Sequence, residues 1–147
     1  MNTETTPLLE YFKQQIGKAT GSSGQAPPFT QWLNGTLQKV EMGSFTMEFV
    51  VRKEMTNPLG LLHGGVQAAI LDDMIGMTVA ALPKDTPAVS INLSVDFIGK
   101  AVEGEKIIAT SQVVRQGRQV IYILGEIVSA EGKLIAKATS NMLVIKK

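Results

Sequence analysis

Asn57-Pro58-Leu59-Gly60-Leu61-Leu62-His63-Gly64-Gly65 opens a stretch that continues through Val66-Gln67-Ala68-Ala69-Ile70-Leu71-Asp72-Asp73-Met74 to about Leu82. It reads as a loop, a glycine-rich helix start, and then one long and almost wholly apolar helix. Apolar residues run all round that helix, which is the mark of a buried element. Asp72 and Asp73 nevertheless stand inside it. A charge in a helix with no evident solvent face needs a partner or a purpose.

The pattern on either side is mostly of period two. Upstream, residues 35–42 and 44–55 predict two strands joined at Gly43, the second with Phe45, Met47, Phe49 and Val51 on one face. Downstream of the turn Pro83-Lys84-Asp85-Thr86-Pro87, Val89, Ile91, Leu93, Val95 and Phe97 alternate with Ser90, Asn92, Ser94 and Asp96. Three more long strands follow over 106–114, 119–128 and 133–145, with turns marked by Gly104, Gln116-Gly117 and Glu131-Gly132. Long strands with short turns make an antiparallel meander. Residues 8–16 predict a short amphipathic helix, with Thr6 as its cap and Pro7 in the first turn. Residues 20–28, rich in Gly, Ser and Pro, read as a loop. The expected fold class is α+β, with six antiparallel strands wrapped around one long helix. Residues 1–34 form an N-terminal helix and loop, and 35–147 the body of a single domain. The outer face of the sheet carries Ile, Val and Leu on several strands, so a second subunit is expected to cover it.

Composition narrows the function. The 147 residues are 44% hydrophobic and 18% charged, with a net charge of +1, which gives no electrostatic footprint for nucleic acid. The absence of cysteine excludes disulfides, thiolate metal sites and a cysteine nucleophile, and fits a reducing, cytoplasmic setting. The first residues have neither a basic nor an apolar region, so no signal peptide is expected. Adjacent aspartates in helix 66–82 argue against membrane insertion. A single histidine excludes a His-based metal cluster, and no Ser-His-Asp spacing is present.

The segment from Asn57 through His63-Gly64-Gly65, with an aspartate seven residues after the second glycine and a serine on the following strand, resembles the hotdog-fold acyl-CoA thioesterases of the phenylacetate-pathway (PaaI-like) type. The expected element order is similar to that fold over about residues 35–146. The resemblance implies hydrolysis of aryl or medium- to long-chain fatty acyl thioesters of coenzyme A. Coenzyme A would then be part of the substrate, and no separate cofactor or metal is implied. It also implies a homodimer that forms the active sites, and a homotetramer built from it.

Thioester hydrolysis requires fixed donors on the carbonyl oxygen, and a carboxylate or an activated water to attack the carbon. Gly64 and Gly65 stand where the helix begins, so their amides lack intrahelical acceptors and share the positive end of the dipole. The resemblance assigns the Gly64 amide to the thioester oxygen; close packing at the helix start is the plain alternative. Asp72 lies eight residues beyond Gly64, about 12 Å along a helix axis. One acyl carbonyl does not easily touch both on one helix: either only one of them acts on it, or the site pairs Gly64 of one chain with Asp72 of another, the arrangement that the resemblance implies and the spacing favours. The match to the family selects Asp72 as general base or nucleophile and leaves Asp73 structural. Asn57 corresponds to a residue that holds the attacking water or the carbonyl, although Asn-Pro also opens turns. His63 is given an orienting role, and Ser90, placed on the polar face of its strand, a supporting hydrogen bond. For coenzyme A, the turn Arg115-Gln116-Gly117-Arg118 matches the family's contacting turn, with Phe97 and Lys100 as further candidates. A non-catalytic acyl-CoA or lipid-binding module is the alternative function. A dehydratase on the same fold fits less well, because His63 is embedded in His-Gly-Gly.

Overall fold

The computed structural model describes residues 5–146. Its strands are β1 (Thr36–Glu41), β2 (Ser44–Val50), β3 (Ala88–Phe97), β4 (Lys106–Gln116), β5 (Val120–Ser129) and β6 (Leu134–Val144). Its helices are α1 (Pro7–Gln14), α2 (Pro28–Leu33) and α3 (Gly64–Ala80). The strands form one six-stranded antiparallel sheet in the order β1-β2-β4-β5-β6-β3. Helix α3 follows β2 and leads to β3 at the far edge, packing across the sheet against β2, β4, β5, β6 and β3.

The alternation expected in β2 is present. Phe45, Met47, Phe49 and Val51 are all buried, and they pack with Ile70, Leu71 and Met74 of α3. Each such side chain contributes about 1.5–3 kcal/mol when taken fully out of water. Helix α3 is apolar all round, yet only the row Gln67, Ile70, Leu71, Met74, Ile75, Thr78 and Val79 is buried. The opposite side, with Ala69, Asp73, Gly76 and Met77 half-buried and Gly65, Asp72 and Ala80 exposed, faces away from the sheet. In the single chain, the small-residue face of this helix lies open.

Three expectations need correction. Residues 20–28 are not all loop: Thr20–Ser22 form a single 3₁₀ turn and Pro28 begins α2. The run Phe29, Trp32, Leu33 has helical spacing, but a six-residue helix that starts on Pro28 directly after Pro27 gives too short a period to be read. Strand β2 ends at Val50 rather than Met55, because Lys53–Met55 turn once as 3₁₀ to start the descent toward Asn57. Strand β3 changes face: a register shift between Ser90 and Asn92 leaves Ile91 unpaired. A bulge moves every later side chain to the other face. Ser90, opposite buried Met142, therefore points to the helix side with Leu93 and Val95, and not with Asn92, Ser94 and Asp96.

Helix α1 is tied to the end of α3. The Thr6 hydroxyl accepts from the Leu9 amide at 3.1 Å and donates to the Ala81 carbonyl at 2.8 Å. Thr6→Ala is expected to cost about 1–2 kcal/mol, as measured by urea unfolding, since it removes an N-cap and a tertiary bond together.

Candidate active site

Helix α3 starts at a loop whose geometry is set by two side chains. Asn57 Oδ1 accepts from the amides of Leu59 (2.9 Å) and Leu61 (3.1 Å), closing the turn 57–61 on itself. Two donors on that atom fix it as the oxygen and leave the NH₂ as the free end. His63 is the N-cap of α3, its Nδ1 accepting from the Gly65 amide at 2.8 Å. While that bond holds, a neutral ring carries its proton on Nε2. The loop is anchored by Leu62 N–H to the Ala101 carbonyl and His63 N–H to the Met55 carbonyl, both 2.8 Å. Gln67 Nε2 adds a bond to the Leu62 carbonyl at 3.0 Å.

The Gly64 amide lies between these anchored groups, and among the described residues no acceptor is bonded to it. It is the first residue of the helix, so the donor carries the local positive end of the dipole. The Phe97 ring covers it from one side: a Cβ on Gly64 would meet Phe97 Cε1 at 3.2 Å. Phe97 is 57% exposed, and Lys100 is exposed in the segment that follows. Gly64, His63, Asn57 and Phe97 thus belong to one end of α3.

Asp72 and Ser90 belong to another place. They line a cleft of about 590 Å³ between α3, the start of β3, α1 and residues 18–30, together with Asp73, Gly76, Met77 and Tyr11. Asp72 is exposed. Eight residues of helix separate it from Gly64, about 12 Å along the axis. The single chain therefore holds the free amide and the carboxylate apart.

Asp73 is bonded across the cleft, its Oδ1 accepting from Thr30 Oγ1 of α2 at 3.0 Å. Sequence reading missed Thr30, because the two residues are 43 apart and α2 went unread; the threonine one residue past Phe29 in a short apolar-spaced run was the one available cue. Burial lifts the Asp73 carboxyl above the ordinary aspartate range; the Thr30 hydroxyl works against this and the Asp72 carboxylate with it. The sign of the pH effect follows. The folded form keeps its proton to higher pH than the unfolded chain, so this group lowers stability as pH rises from the unfolded value, about 3.9, through the raised folded one. Asp73→Asn is expected to be the more stable protein at about pH 7 and to lose that advantage by about pH 3, compared by urea midpoints.

The predicted coenzyme A turn lies at the far end of α3. Gln116 Nε2 donates to the Pro83 carbonyl at 3.1 Å, and Gln116, Gly117 and Arg118 line a shallow depression with Lys84, Asp85 and Lys146. Gly117 is required there, since a Cβ would meet the Val120 carbonyl oxygen at 2.7 Å. Arg115 lies just past a register shift in β4 and is exposed. Among the described residues, no group of three or more His, Cys, Asp or Glu is placed to hold a metal, and no helix is long and apolar enough to cross a membrane.

With this geometry in view, the comparisons decide the family. A family model described as the Thioesterase superfamily matches residues 59–136, which include the free amide, both aspartates and the turn at 115–118. The chain belongs to the thioesterase superfamily. The human protein acyl-coenzyme A thioesterase 13 is 32% identical over 103 residues, 69% of this chain and 74% of that one. Among solved structures, a phenylacetic acid degradation-related protein of Ralstonia eutropha JMP134 superimposes with a TM-score of 0.75 at 30% identity, covering 85% of this chain and 96% of that one. Zebrafish thioesterase superfamily member 2 gives 0.80 at 26% identity, covering 93% and 98%. The expected hotdog fold and thioester hydrolase class both stand.

Proposed function

We propose that this thioesterase hydrolyses acyl-coenzyme A to free acid and coenzyme A, at sites shared between two chains. The observation that carries the reading is the division of labour along α3: an amide at its start with no acceptor among the described residues, and a cleft-lining carboxylate about 12 Å further on. In the proposed dimer, Gly64 of one chain polarises the thioester oxygen. Asp72 of the other takes the proton from a water that attacks the carbonyl carbon, or attacks it directly to form an acyl-aspartyl anhydride that a water then opens to the free acid and the free carboxylate. The C–S bond breaks, and the coenzyme A thiolate leaves with the proton that the water gives up. Ser90, turned to the helix side by the β3 bulge, supports the reacting centre beside Asp72. His63 orients the helix start, and the Asn57 NH₂ is the group left to touch water or the carbonyl. Arg115, Gln116, Gly117 and Arg118 form the phosphate-facing turn, with Lys100 and Phe97 near the helix start as further contacts.

Strand β3 supports the dimer. It is a ten-residue edge strand whose Val89, Ile91 and Phe97 are exposed, a template for pairing with a second copy. Half-buried Ile108, Leu124 and Val128 on the outer sheet face offer a second contact, which fits a tetramer of two such dimers. The cleft lies within the range of small-ligand pockets and suits aryl and medium to long fatty acyl groups. The test is thiol release from a panel of aryl- and fatty acyl-CoA thioesters by the purified protein. Turnover with any of them is expected. Tight binding of acyl-CoA with no thiol released would instead identify a binding module on the same fold.

A further inference from the structure

The hydrolysis proposed above uses one of the two acids on the cleft face of α3. Asp73 is left over, and its surroundings are specific. One carboxylate oxygen is held by Thr30, which is only 4% exposed and whose carbonyl in turn accepts from Thr20 Oγ1 at 3.0 Å. The other oxygen, Oδ2, has no hydrogen-bond partner among the described residues. Lys18 also lines the cleft, but it forms no ion pair with either aspartate among the described residues. A half-buried carboxylate with one oxygen bonded to Thr30 and the other facing the cleft is an acceptor that a hydroxyl of a bound ligand can reach.

The cleft has a direction. It runs along α3 past Asp72, Asp73, Gly76, Met77 and Ala80, about 12 Å from end to end. At the Ala80 end, the bond from Thr6 to the Ala81 carbonyl brings in the start of α1, whose Leu8, Tyr11 and Phe12 make the wall apolar. At the Asp73 end, Thr30, Thr20 and Ser23 make it polar. An acyl group whose carbonyl lies at Asp72 has its first carbons beside Asp73 and its tail among the apolar residues.

We infer that Asp73, held by Thr30, selects acyl groups that carry a hydroxyl within a few atoms of the thioester carbonyl, such as 3-hydroxyacyl thioesters with an apolar tail. The inference rests on the acyl-CoA hydrolase reading and names its substrate class. Sites built to bond a hydroxyl discriminate strongly against the analogue without one, because the polar group is then left unpaired.

The experiment measures kcat/KM by thiol release for a 3-hydroxyacyl-CoA and the straight-chain acyl-CoA of equal length. Wild type is expected to favour the hydroxylated substrate by about tenfold or more. Asp73→Ala is expected to bring that ratio close to one. Thr30→Val, which loosens the carboxylate without removing it, is expected to give an intermediate ratio and serves if Asp73→Ala does not fold. A wild-type ratio at or below one overturns the inference and leaves the hydrolase reading intact, as does a ratio that neither variant moves. No thiol release from either substrate, or from any of the wider panel, overturns the hydrolase reading and this inference with it.

Discussion

Asp72→Asn lowers kcat for acyl-CoA hydrolysis by about a thousandfold while the thermal unfolding curve stays close to that of wild type. The size of the effect follows from what the substitution removes. The amide keeps the volume and the hydrogen-bonding reach of the side chain but has no lone pair basic enough to take a proton and no charge with which to attack. The unfolding curve is insensitive because Asp72 is exposed and makes no hydrogen bond among the described residues. The measurement is steady-state thiol release, with substrate binding followed separately, so that loss of turnover is not mistaken for loss of affinity. If Asp72→Asn turned over at the wild-type rate, the chemistry would have to be assigned to another group.

Gly64→Pro is expected to lower kcat by about a hundredfold to a thousandfold, the cost of removing one donor from a carbonyl-polarising site. Proline is an unusual choice for a glycine, but this position accepts it. Gly64 is the first residue of α3, where proline's fixed φ suits the helix and its missing N–H breaks no intrahelical bond. The preceding residue, His63, has φ −63° and ψ 135°, the extended region that a following proline demands. The Phe97 ring, 3.2 Å from where a Cβ would stand, has to give by a few tenths of an ångström, and it is exposed enough to do so. Gly64→Ala adds the same Cβ and keeps the donor. Its activity should therefore lie well above that of Gly64→Pro, and equal losses in the two would assign the effect to crowding by Phe97.

Much of the fold was legible because its signals are local. Strand β2 shows its buried face in the sequence as Phe45, Met47 and Phe49, continued by Val51 just past its end, and α3 shows its start in His63-Gly64-Gly65. The spacing from Gly64 to Asp72 was legible too, and helical rise alone suffices to separate the two groups. What escaped notice depends on partners distant in sequence. The face of Ser90 depends on a bulge, and a bulge is a property of how β3 registers against β6. The Thr30 bond to Asp73 joins a six-residue helix to the middle of α3, and neither residue announces the other. Asp73 could be set aside on sequence alone; with Thr30 across from it, it becomes part of the cleft wall. Helix α3 kept its reading as the organising element but lost one attribute: its apolar residues go all round while only one row is buried in the chain. The small-residue face left open is the face that carries Asp72.

That open face makes the shared site testable by mixing. Asp72→Asn and Gly64→Pro are denatured together in equal amounts and refolded, so that subunits pair at random, and hybrid formation is confirmed by tagging one chain. Each hybrid dimer then holds one site with both native groups and one with neither. Half of all dimers are hybrids, so recovery to about a quarter of wild-type activity is expected from the symmetry of the pairing. Hybrids shown to form without any recovery of thiol release would contradict a site built from Gly64 of one chain and Asp72 of the other.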